Sequence, residues 1–215
     1  MSATKAKLGI WLPTYKRPHK VQEVATNIEQ TTKTPYKLYF GCEPEDLESI
    51  EACRATGHEV IINKYSGGYS NTIQTIYEQT KEPVAFHAND DFLFLNGWDV
   101  PAMEYFKKHP EIMMLGAHDG TSHPSYSTIQ FVRRKYIEEQ SGVVDIPNRV
   151  FYPYNHNYQD TEFTRTAVMR GVWAKLENPC IEHRRFGHDE TYEKNNATFS
   201  LDGDIYNGRK HLFGG

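Results

Sequence analysis

Residues 86–98 have the sequence FHANDDFLFLNGW, and this stretch decides the predicted architecture. A short apolar run ends at the polar triplet Asn89, Asp90 and Asp91, and apolar residues resume directly after it. Two adjacent carboxylates between aromatic residues repel each other and lose hydration unless they share a cation. Mg²⁺ and Mn²⁺ prefer such oxygen ligands. The triplet therefore predicts either a divalent metal site or a turn in which the two acids act as caps.

Upstream of this stretch, short apolar runs alternate with runs of helical spacing. The predicted strands are 8–12, 36–41, 59–63 and 83–86, and the predicted helices begin at Pro18 and Asp46 and pass through 73–77. This alternation favours a mostly parallel, Rossmann-like sheet with helices on both faces. Such sheets bind ligands beyond the carboxyl ends of their strands, so the loops after the first, third and fourth strands are the predicted site.

Downstream of Trp98 the pattern is less regular. The apolar run 113–116 predicts a strand and 131–139 a helix, whereas only 161–170, ending at Gly171, predicts a helix in the polar, tyrosine-rich remainder. The aromatic residues of this remainder predict either a platform that stacks flat ligands or a small core of their own, and they are Phe151, Tyr152, Tyr154 and Tyr158.

Composition narrows the class of protein. The 215 residues include 24 basic and 28 acidic side chains, so a net charge of -4 offers no overall basic field for nucleic acid or an anionic membrane. We expect one domain, because chains divide only beyond roughly 250 residues. The N-terminus lacks the apolar core of a signal peptide, and no run approaches the ~20 apolar residues of a membrane span, so we expect no membrane partner. Three widely spaced cysteines fit a reducing, cytoplasmic location.

Five blocks of sequence occur in order along nearly the whole chain: WLPTYKRP (11–18), GGYSN (67–71), NDD followed by NGW (89–98), QDTEF followed by Arg165 and Arg170-Gly171 (159–171), and IEH (181–183). Together they resemble the GT-A glycosyltransferases, most closely the inverting family 2 type, of which compact members occur in bacteriophages. The third block is similar to that family's form of the DXD motif. The resemblance implies a GT-A (nucleotide-diphospho-sugar transferase) α/β fold over residues 1–215, with 1–99 binding the nucleotide-sugar and 100–215 forming the acceptor half and a mobile tail.

The same resemblance implies a nucleotide-sugar donor, UDP-linked donors being favoured, and a Mn²⁺ or Mg²⁺ ion. It assigns Asp91 and His183 to the metal, although an exposed basic turn is the alternative for His183. The residues implied around the donor are Pro13, Thr14, Tyr15, Arg17, Glu43, Gly68, Asn71, Asn89 and Asp90. Arg185, with Arg184 and the basic residues 209–211, would either grip the diphosphate or remain as solvated charges.

The fourth block carries the candidate bases. A carboxylate across the sugar from the metal suits the removal of a proton from an acceptor hydroxyl. Asp160 is the first choice and Glu162 the second, and only one of them can face the sugar because they lie two residues apart. The alternatives are a helix N-cap for Asp160 and a favourable helix-dipole charge for Glu162.

Three classes of acceptor are compatible with the sequence. A saccharide, a small molecule, or a flipped-out hydroxymethylated base in DNA all offer a hydroxyl; for a phage-encoded member the location would be the host cytoplasm. A non-catalytic carbohydrate- or nucleotide-binding module of the same fold is an alternative class. A nucleotidyltransferase is another, although the loop at 13–18 lacks the glycines that cradle a triphosphate.

Overall fold

The computed structural model describes residues 6–65, 67–120, 126–184, 193 and 196–214. The strands are β1 (Leu8–Thr14), β2 (Tyr36–Cys42), β3 (Glu59–Ile62), β4 (Val84–His87), β5 (Phe92–Phe94), β6 (Met114–Gly116), β7 (Gln130–Arg133), β8 (Trp173–Lys175) and β9 (Ile181–His183). The helices are α1 (Pro18–Thr31), α2 (Leu47–Ala55), α3 (Tyr69–Gln79), α4 (Val100–Lys108), α5 (Arg134–Gln140), α6 (Gln159–Met169) and α7 (Phe199–Arg209), and a 3₁₀ turn follows at Lys210–Leu212.

Within the described residues, seven strands form one sheet in the order β3-β2-β1-β4-β7-β6-β8. The first four of these strands are parallel, β7 is antiparallel to both of its neighbours, and β6 and β8 are parallel. The carboxyl ends of β1 to β4 therefore meet at one edge, where such sheets bind ligands. A separate antiparallel pair, β5 with β9, lies beyond β4 in the chain. The predicted α/β class with a mostly parallel sheet is confirmed.

Helices cover both faces of the sheet. Pro18 occupies the first turn of α1, where its missing N–H costs nothing, and the predicted apolar positions Val21, Val24, Ala25 and Ile28 are all buried. The core on this face continues with α2 and α4, and the core on the other face is formed by α3, α5 and α6. Since helices pack against both faces, β4 is buried along its whole length. In the part of the chain that the structure describes, no helix is long and apolar enough to cross a bilayer.

Two predictions of secondary structure are corrected. Residues 131–139 were predicted as one helix, but Phe131 and Val132 belong to β7 and α5 begins only at Arg134. The strand forms because β7 pairs on both sides, with β4 and with β6, which outweighs local helical spacing. Helix α7 was not predicted at all. Its buried positions are Asp202 and Gly203, so it has no apolar face for periodicity to detect.

Candidate active site

Asp90 joins the loop after β1 to the acidic triplet after β4. Its carboxylate is buried, with Oδ2 accepting from the Thr14 hydroxyl at 2.8 Å and Oδ1 from Arg17 Nη1 at 2.7 Å. Burial raises the pKa of Asp90 above its usual value, while Arg17 and Thr14 oppose the shift by favouring the charged form. Thr14, Arg17 and Asp90, all predicted around the donor, therefore form one connected group.

Asp91 lies beside His183 because of the register between β5 and β9. Phe92 is directly opposite His183 in that ladder, and the Arg184 N–H donates to the Asp91 carbonyl at 2.8 Å. This pairing leaves His183 Nε2 3.0 Å from Asp91 Oδ2. These two side chains are the pair predicted as metal ligands.

The second carboxylate oxygen of Asp91, Oδ1, is buried and has no hydrogen-bond partner among the described residues. A buried acceptor without a donor is rare and costly in a folded protein. A carboxylate oxygen and an imidazole nitrogen are a donor set that Mn²⁺ and Mg²⁺ accept. The site therefore fits a divalent cation. Within the described ranges no group of three or more His, Cys, Asp or Glu side chains converges on one point, so among these residues Asp91 and His183 are the candidate ligand pair.

Tyr69, at the first position of α3, lies beside the end of β4. Its hydroxyl lies 3.5 Å from the carbonyl oxygen of Ala88 at the end of β4. Burial raises the pKa of the Tyr69 phenol far above its usual range, and the charges of Asp160 and then Asp91 raise it further. Tyr69 was not among the predicted site residues, although it stands inside the GGYSN block.

The turn before α3 brings two loops into close approach. Gly68 has a φ of 93°, and a Cβ atom there would lie 2.7 Å from the carbonyl oxygen of Asn155. Only glycine fits this position without strain. Asn71 closes the turn by donating from Nδ2 to the Gly67 carbonyl at 3.1 Å, and its Oδ1 accepts from Arg149 Nη2. Gly68 and Asn71, both predicted near the donor, thus shape this turn.

Asp160 is the second residue of α6. Its Oδ1 accepts from the backbone N–H of Thr161 at 2.8 Å and its Oδ2 from the Tyr126 hydroxyl at 2.6 Å. Burial raises the pKa of the Asp160 carboxyl, and the hydrogen bonds from Tyr126 and Thr161 oppose the shift. The N-cap of the helix is Tyr158, which has a φ of 68°, so Asp160 does not serve as the cap. A half-buried carboxylate with a raised pKa suits a general base.

Glu162 does not share this arrangement. It is 1% exposed, and its Oε2 accepts from the Tyr154 hydroxyl at 2.7 Å and from Arg209 Nε at 3.0 Å. Its Oε1 accepts from Arg209 Nη2 at 2.8 Å. Both oxygens are committed to a buried ion pair, which favours Asp160 as the base. Arg209 was predicted either to grip a diphosphate or to be solvated, and in the structure it binds Glu162 and Asp145 instead.

Helix α7 also fixes the loop that leads into α6. The Asp202 carboxylate is fully buried and accepts the backbone N–H groups of Asn155, His156 and Asn157 at 3.0, 2.9 and 2.8 Å. Burial alone would raise the pKa of Asp202, but these three donors outweigh it and hold the pKa below its usual value. Three consecutive N–H groups on one carboxylate define the path of the chain just before Asp160.

Glu43, directly after β2, and Asp46, the N-cap of α2, stabilise the same edge of the sheet. Glu43 Oε1 accepts from Asn63 Nδ2 at 3.0 Å and from the Thr72 hydroxyl at 2.9 Å, so its carboxylate is held by protein donors. Asp46 Oδ2 accepts from the backbone N–H of Lys16 at 2.5 Å. This bond steadies the loop after β1, where Lys16 has a φ of 53°. Asp46 was predicted only as the start of a helix.

The other residues predicted around the donor or as an aromatic platform lie in several parts of the chain. Pro13 and Tyr15 at the end of β1 and Asn89 after β4 are half-buried at the ligand-binding edge. Arg185 lies outside the described residues. Of the four aromatic residues predicted as a platform or a core, Phe151 and Tyr154 are buried in the structure. The other two are covered, Tyr152 by the Arg209 guanidinium at 3.6 Å from its ring centroid and Tyr158 by the stacked Tyr206 ring at 4.9 Å, which favours the core.

No protein-family model and no curated protein matches the chain. Solved structures do. Glucosyl-3-phosphoglycerate synthase from Mycobacterium tuberculosis, in complex with Mn²⁺, UDP and glucosyl-3-phosphoglycerate, is 10% identical with a TM-score of 0.65, over 92% of this chain and 80% of that one.

Two further solved structures have the same fold. The mannosyltransferase PcManGT from Pyrobaculum calidifontis, in complex with GDP-Man and Mn²⁺, is 11% identical with a TM-score of 0.67, over 96% of this chain and 65% of that one. Residues 1–349 of S. aureus TarS are 12% identical with a TM-score of 0.62, over 82% of this chain and 60% of that one. These similarities establish the GT-A fold predicted from the sequence.

Proposed function

We propose that the protein is a metal-dependent glycosyltransferase that moves a sugar from a nucleotide-sugar to an acceptor hydroxyl. The observation that carries the proposal is the buried, unpartnered oxygen of Asp91 beside His183. A cation-binding pair and a carboxylate of raised pKa at the ligand-binding edge are what metal-assisted sugar transfer needs.

Asp91 and His183 would hold Mn²⁺ or Mg²⁺. Such an ion, when bound, offsets the negative charge that develops on a departing nucleoside diphosphate. Two protein ligands are few, but Mg²⁺ usually binds through one or two carboxylates together with substrate phosphates. The complexes of similar proteins with Mn²⁺ and UDP, or Mn²⁺ and GDP-Man, support the same kind of site here.

The donor would lie along the carboxyl ends of β1, β2 and β4, UDP-linked donors being favoured. Asp90 holds Thr14 and Arg17, so these three side chains form a preorganised wall rather than freely moving contacts. Glu43 is likewise fixed by its own donors. The other residues proposed around the donor are Pro13, Tyr15, Gly68, Asn71, Asn89 and Arg185.

Asp160 is proposed as the base. It would accept the proton of the acceptor hydroxyl while the acceptor oxygen bonds to C1 of the sugar. The bond from C1 to the diphosphate oxygen would break, and its electron pair would leave with the diphosphate. Burial raises the pKa of Asp160, which strengthens it as a base near neutral pH. One carboxylate acting in one displacement leads to inversion at C1. Glu162 is not proposed as a second base, because Arg209 and Tyr154 occupy its oxygens.

The acceptor is proposed to be a saccharide, a small molecule or a hydroxymethylated base in DNA. The net charge of -4 favours the first two, since nucleic-acid binding gains most of its affinity from phosphate neutralisation. A cytoplasmic location, in the host if a phage encodes the protein, agrees with the free cysteines Cys42, Cys53 and Cys180.

Calorimetry with a panel of nucleotides and nucleotide-sugars tests the proposal. UDP- and GDP-linked compounds are titrated with Mn²⁺ and again with EDTA, using wild type, Asp91→Ala and the exposed-acid control Asp204→Ala. We expect metal-dependent binding in wild type and Asp204→Ala that disappears in Asp91→Ala. Binding of no nucleotide under any condition would refute the proposal, and binding without turnover on any acceptor would identify a non-catalytic module.

A further inference from the structure

Tyr126 contacts the proposed base from a distant part of the chain. Its hydroxyl donates to Asp160 Oδ2 at 2.6 Å across 34 residues of sequence. The backbone around it is held in turn, since Lys175 Nζ donates to the Tyr126 carbonyl at 3.1 Å. The tyrosine is half-buried and precedes β7, so its ring reaches Asp160 from the segment between β6 and β7. None of the motifs in the sequence includes it.

The bond is of the same chemical type as the bond that a base makes to its substrate. An acceptor hydroxyl must donate to a carboxylate oxygen of Asp160 before its proton is transferred. The Thr161 N–H donates to Oδ1 at 2.8 Å and the Thr161 hydroxyl lies 3.4 Å from the same oxygen, so both lone pairs of Oδ1 have a donor nearby. The Tyr126 hydroxyl occupies Oδ2, and because an O–H donor stabilises a charged carboxylate, it also weakens Asp160 as a base.

We propose that Tyr126 is a placeholder for the acceptor hydroxyl. In the acceptor-free protein it engages Asp160 and keeps water from being activated, and an acceptor that enters displaces it. The inference rests on the proposed function and adds to it a residue that selects an acceptor over water.

The reaction that Tyr126 would suppress is donor hydrolysis. In that reaction the water oxygen bonds to C1 of the sugar, the bond between C1 and the diphosphate oxygen breaks with its electron pair leaving on the diphosphate, and Asp160 takes the water proton. The products are the free sugar and the nucleoside diphosphate. Replacing Tyr126 with Phe removes one oxygen atom beside Oδ2 and leaves space and an acceptor for a water molecule.

The chain offers a matched control on the same helix. The Tyr154 hydroxyl donates to Glu162 at 2.7 Å, so Tyr154→Phe also removes one hydroxyl from a carboxylate of α6. Glu162, however, is almost fully buried against Arg209, whereas Asp160 is half-buried. A general loosening of α6 would therefore change both variants, whereas release of the base would change only Tyr126→Phe.

The experiment measures release of nucleoside diphosphate from UDP-glucose and GDP-mannose with Mn²⁺ and without acceptor. We expect Tyr126→Phe to hydrolyse the donor about tenfold faster than wild type, which corresponds to about 1.4 kcal/mol. Tyr154→Phe is expected to match wild type, and adding Asp160→Asn to Tyr126→Phe is expected to abolish the gain. Tyr126→Leu, which removes the ring as well, is expected to hydrolyse at least as fast as Tyr126→Phe; thermal unfolding checks that each variant is folded.

The outcomes separate this inference from the proposed function. Intact donor binding with unchanged or slower hydrolysis in Tyr126→Phe would overturn the role of Tyr126 while leaving the glycosyltransferase proposal in place. An equal gain in Tyr154→Phe would overturn it as well. Absence of donor binding in wild type would overturn the proposed function and the inference together.

Discussion

Replacing Arg209 with methionine is expected to destabilise the protein by about 3–5 kcal/mol, the cost of leaving one member of a buried ion pair without its partner. The partner that would be abandoned is Glu162, whose side chain is 1% exposed. It would lose the two bonds of 3.0 and 2.8 Å from Arg209 and keep only the Tyr154 hydroxyl. The second partner of Arg209, Asp145, is 44% exposed and accounts for at most about 1 kcal/mol.

A double variant isolates the effect of the stranded charge. In Glu162→Gln with Arg209→Met the buried group is neutral, and its amide oxygen still accepts from Tyr154. We expect the double variant to be about 2 kcal/mol more stable than Arg209→Met alone, because the uncompensated carboxylate has gone. As a control, Arg184→Met removes an exposed pair with Glu23 at 3.4 Å and is expected to cost less than about 1 kcal/mol.

Urea unfolding followed by tryptophan fluorescence measures these differences. Equal m-values across the variants would show that each midpoint reports stability rather than a change in the unfolded state. A loss below about 1 kcal/mol in Arg209→Met would contradict the reasoning. A double variant no more stable than Arg209→Met would also contradict the reasoning, because the lost stability would then come from lost packing and not from the unpaired carboxylate of Glu162.

Three further predictions concern the frame of the site. Gly68→Ala is expected to cost about 1–3 kcal/mol more than Gly57→Ala in urea unfolding, because both have positive φ but only the new Cβ at Gly68 meets a backbone atom, the Asn155 carbonyl oxygen at 2.7 Å. Asp160→Asn is expected to stabilise the protein by about 0.5–2 kcal/mol at pH 7.5, because burial raises the pKa of the Asp160 carboxyl and makes its ionised form costly. This gain in stability should vanish as the pH falls through the raised pKa towards about 4. A lower unfolding midpoint for the variant at pH 7.5 would refute the prediction. Asp202→Asn is expected to destabilise the protein at neutral pH, because the folded pKa of Asp202 is depressed and its ionised carboxylate stabilises the fold. This stabilisation is present above the unfolded pKa of about 3.9 and is lost as the pH falls through the folded pKa. Unfolding midpoints measured from pH 8 to pH 3 should therefore become equal for wild type and variant in acid.

The fold was predictable where apolar spacing alone determines an element. The buried positions of α1 follow the helical period, and β1 to β4 are short, mostly apolar runs, so the parallel part of the sheet was predicted correctly. Prediction failed where tertiary contacts decide. Phe131 and Val132 fit a helical run in the sequence, but they form a strand because β4 and β6 supply backbone partners on both sides.

In the candidate site too, residues within local sequence patterns were predicted, whereas pairings between distant segments were not. Asp91 and His183 belong to blocks with recognisable sequence patterns, and the structure brings them together. Arg209 was predicted either to grip a diphosphate or to be solvated, yet its partner is Glu162, 47 residues earlier, a pairing that no local pattern encodes. Tyr126 lies 34 residues before Asp160 in a segment without any motif, so only the fold reveals their contact.

Helix α7 is synthesised after the segments that it contacts, so the order of synthesis affects when those segments become fixed. The backbone N–H groups that precede Asp160 emerge from the ribosome before their acceptor, because Asp202 follows Asn155 by 47 residues. Arg209, which neutralises Glu162 in α6, comes later still. A growing chain can therefore complete β1, which ends at Thr14, and β4, which precedes Asp90, and with them the proposed donor wall, while the loop before the proposed base still lacks its anchor. Assembly of the proposed catalytic centre is then coupled to the arrival of the last helix that the structure describes.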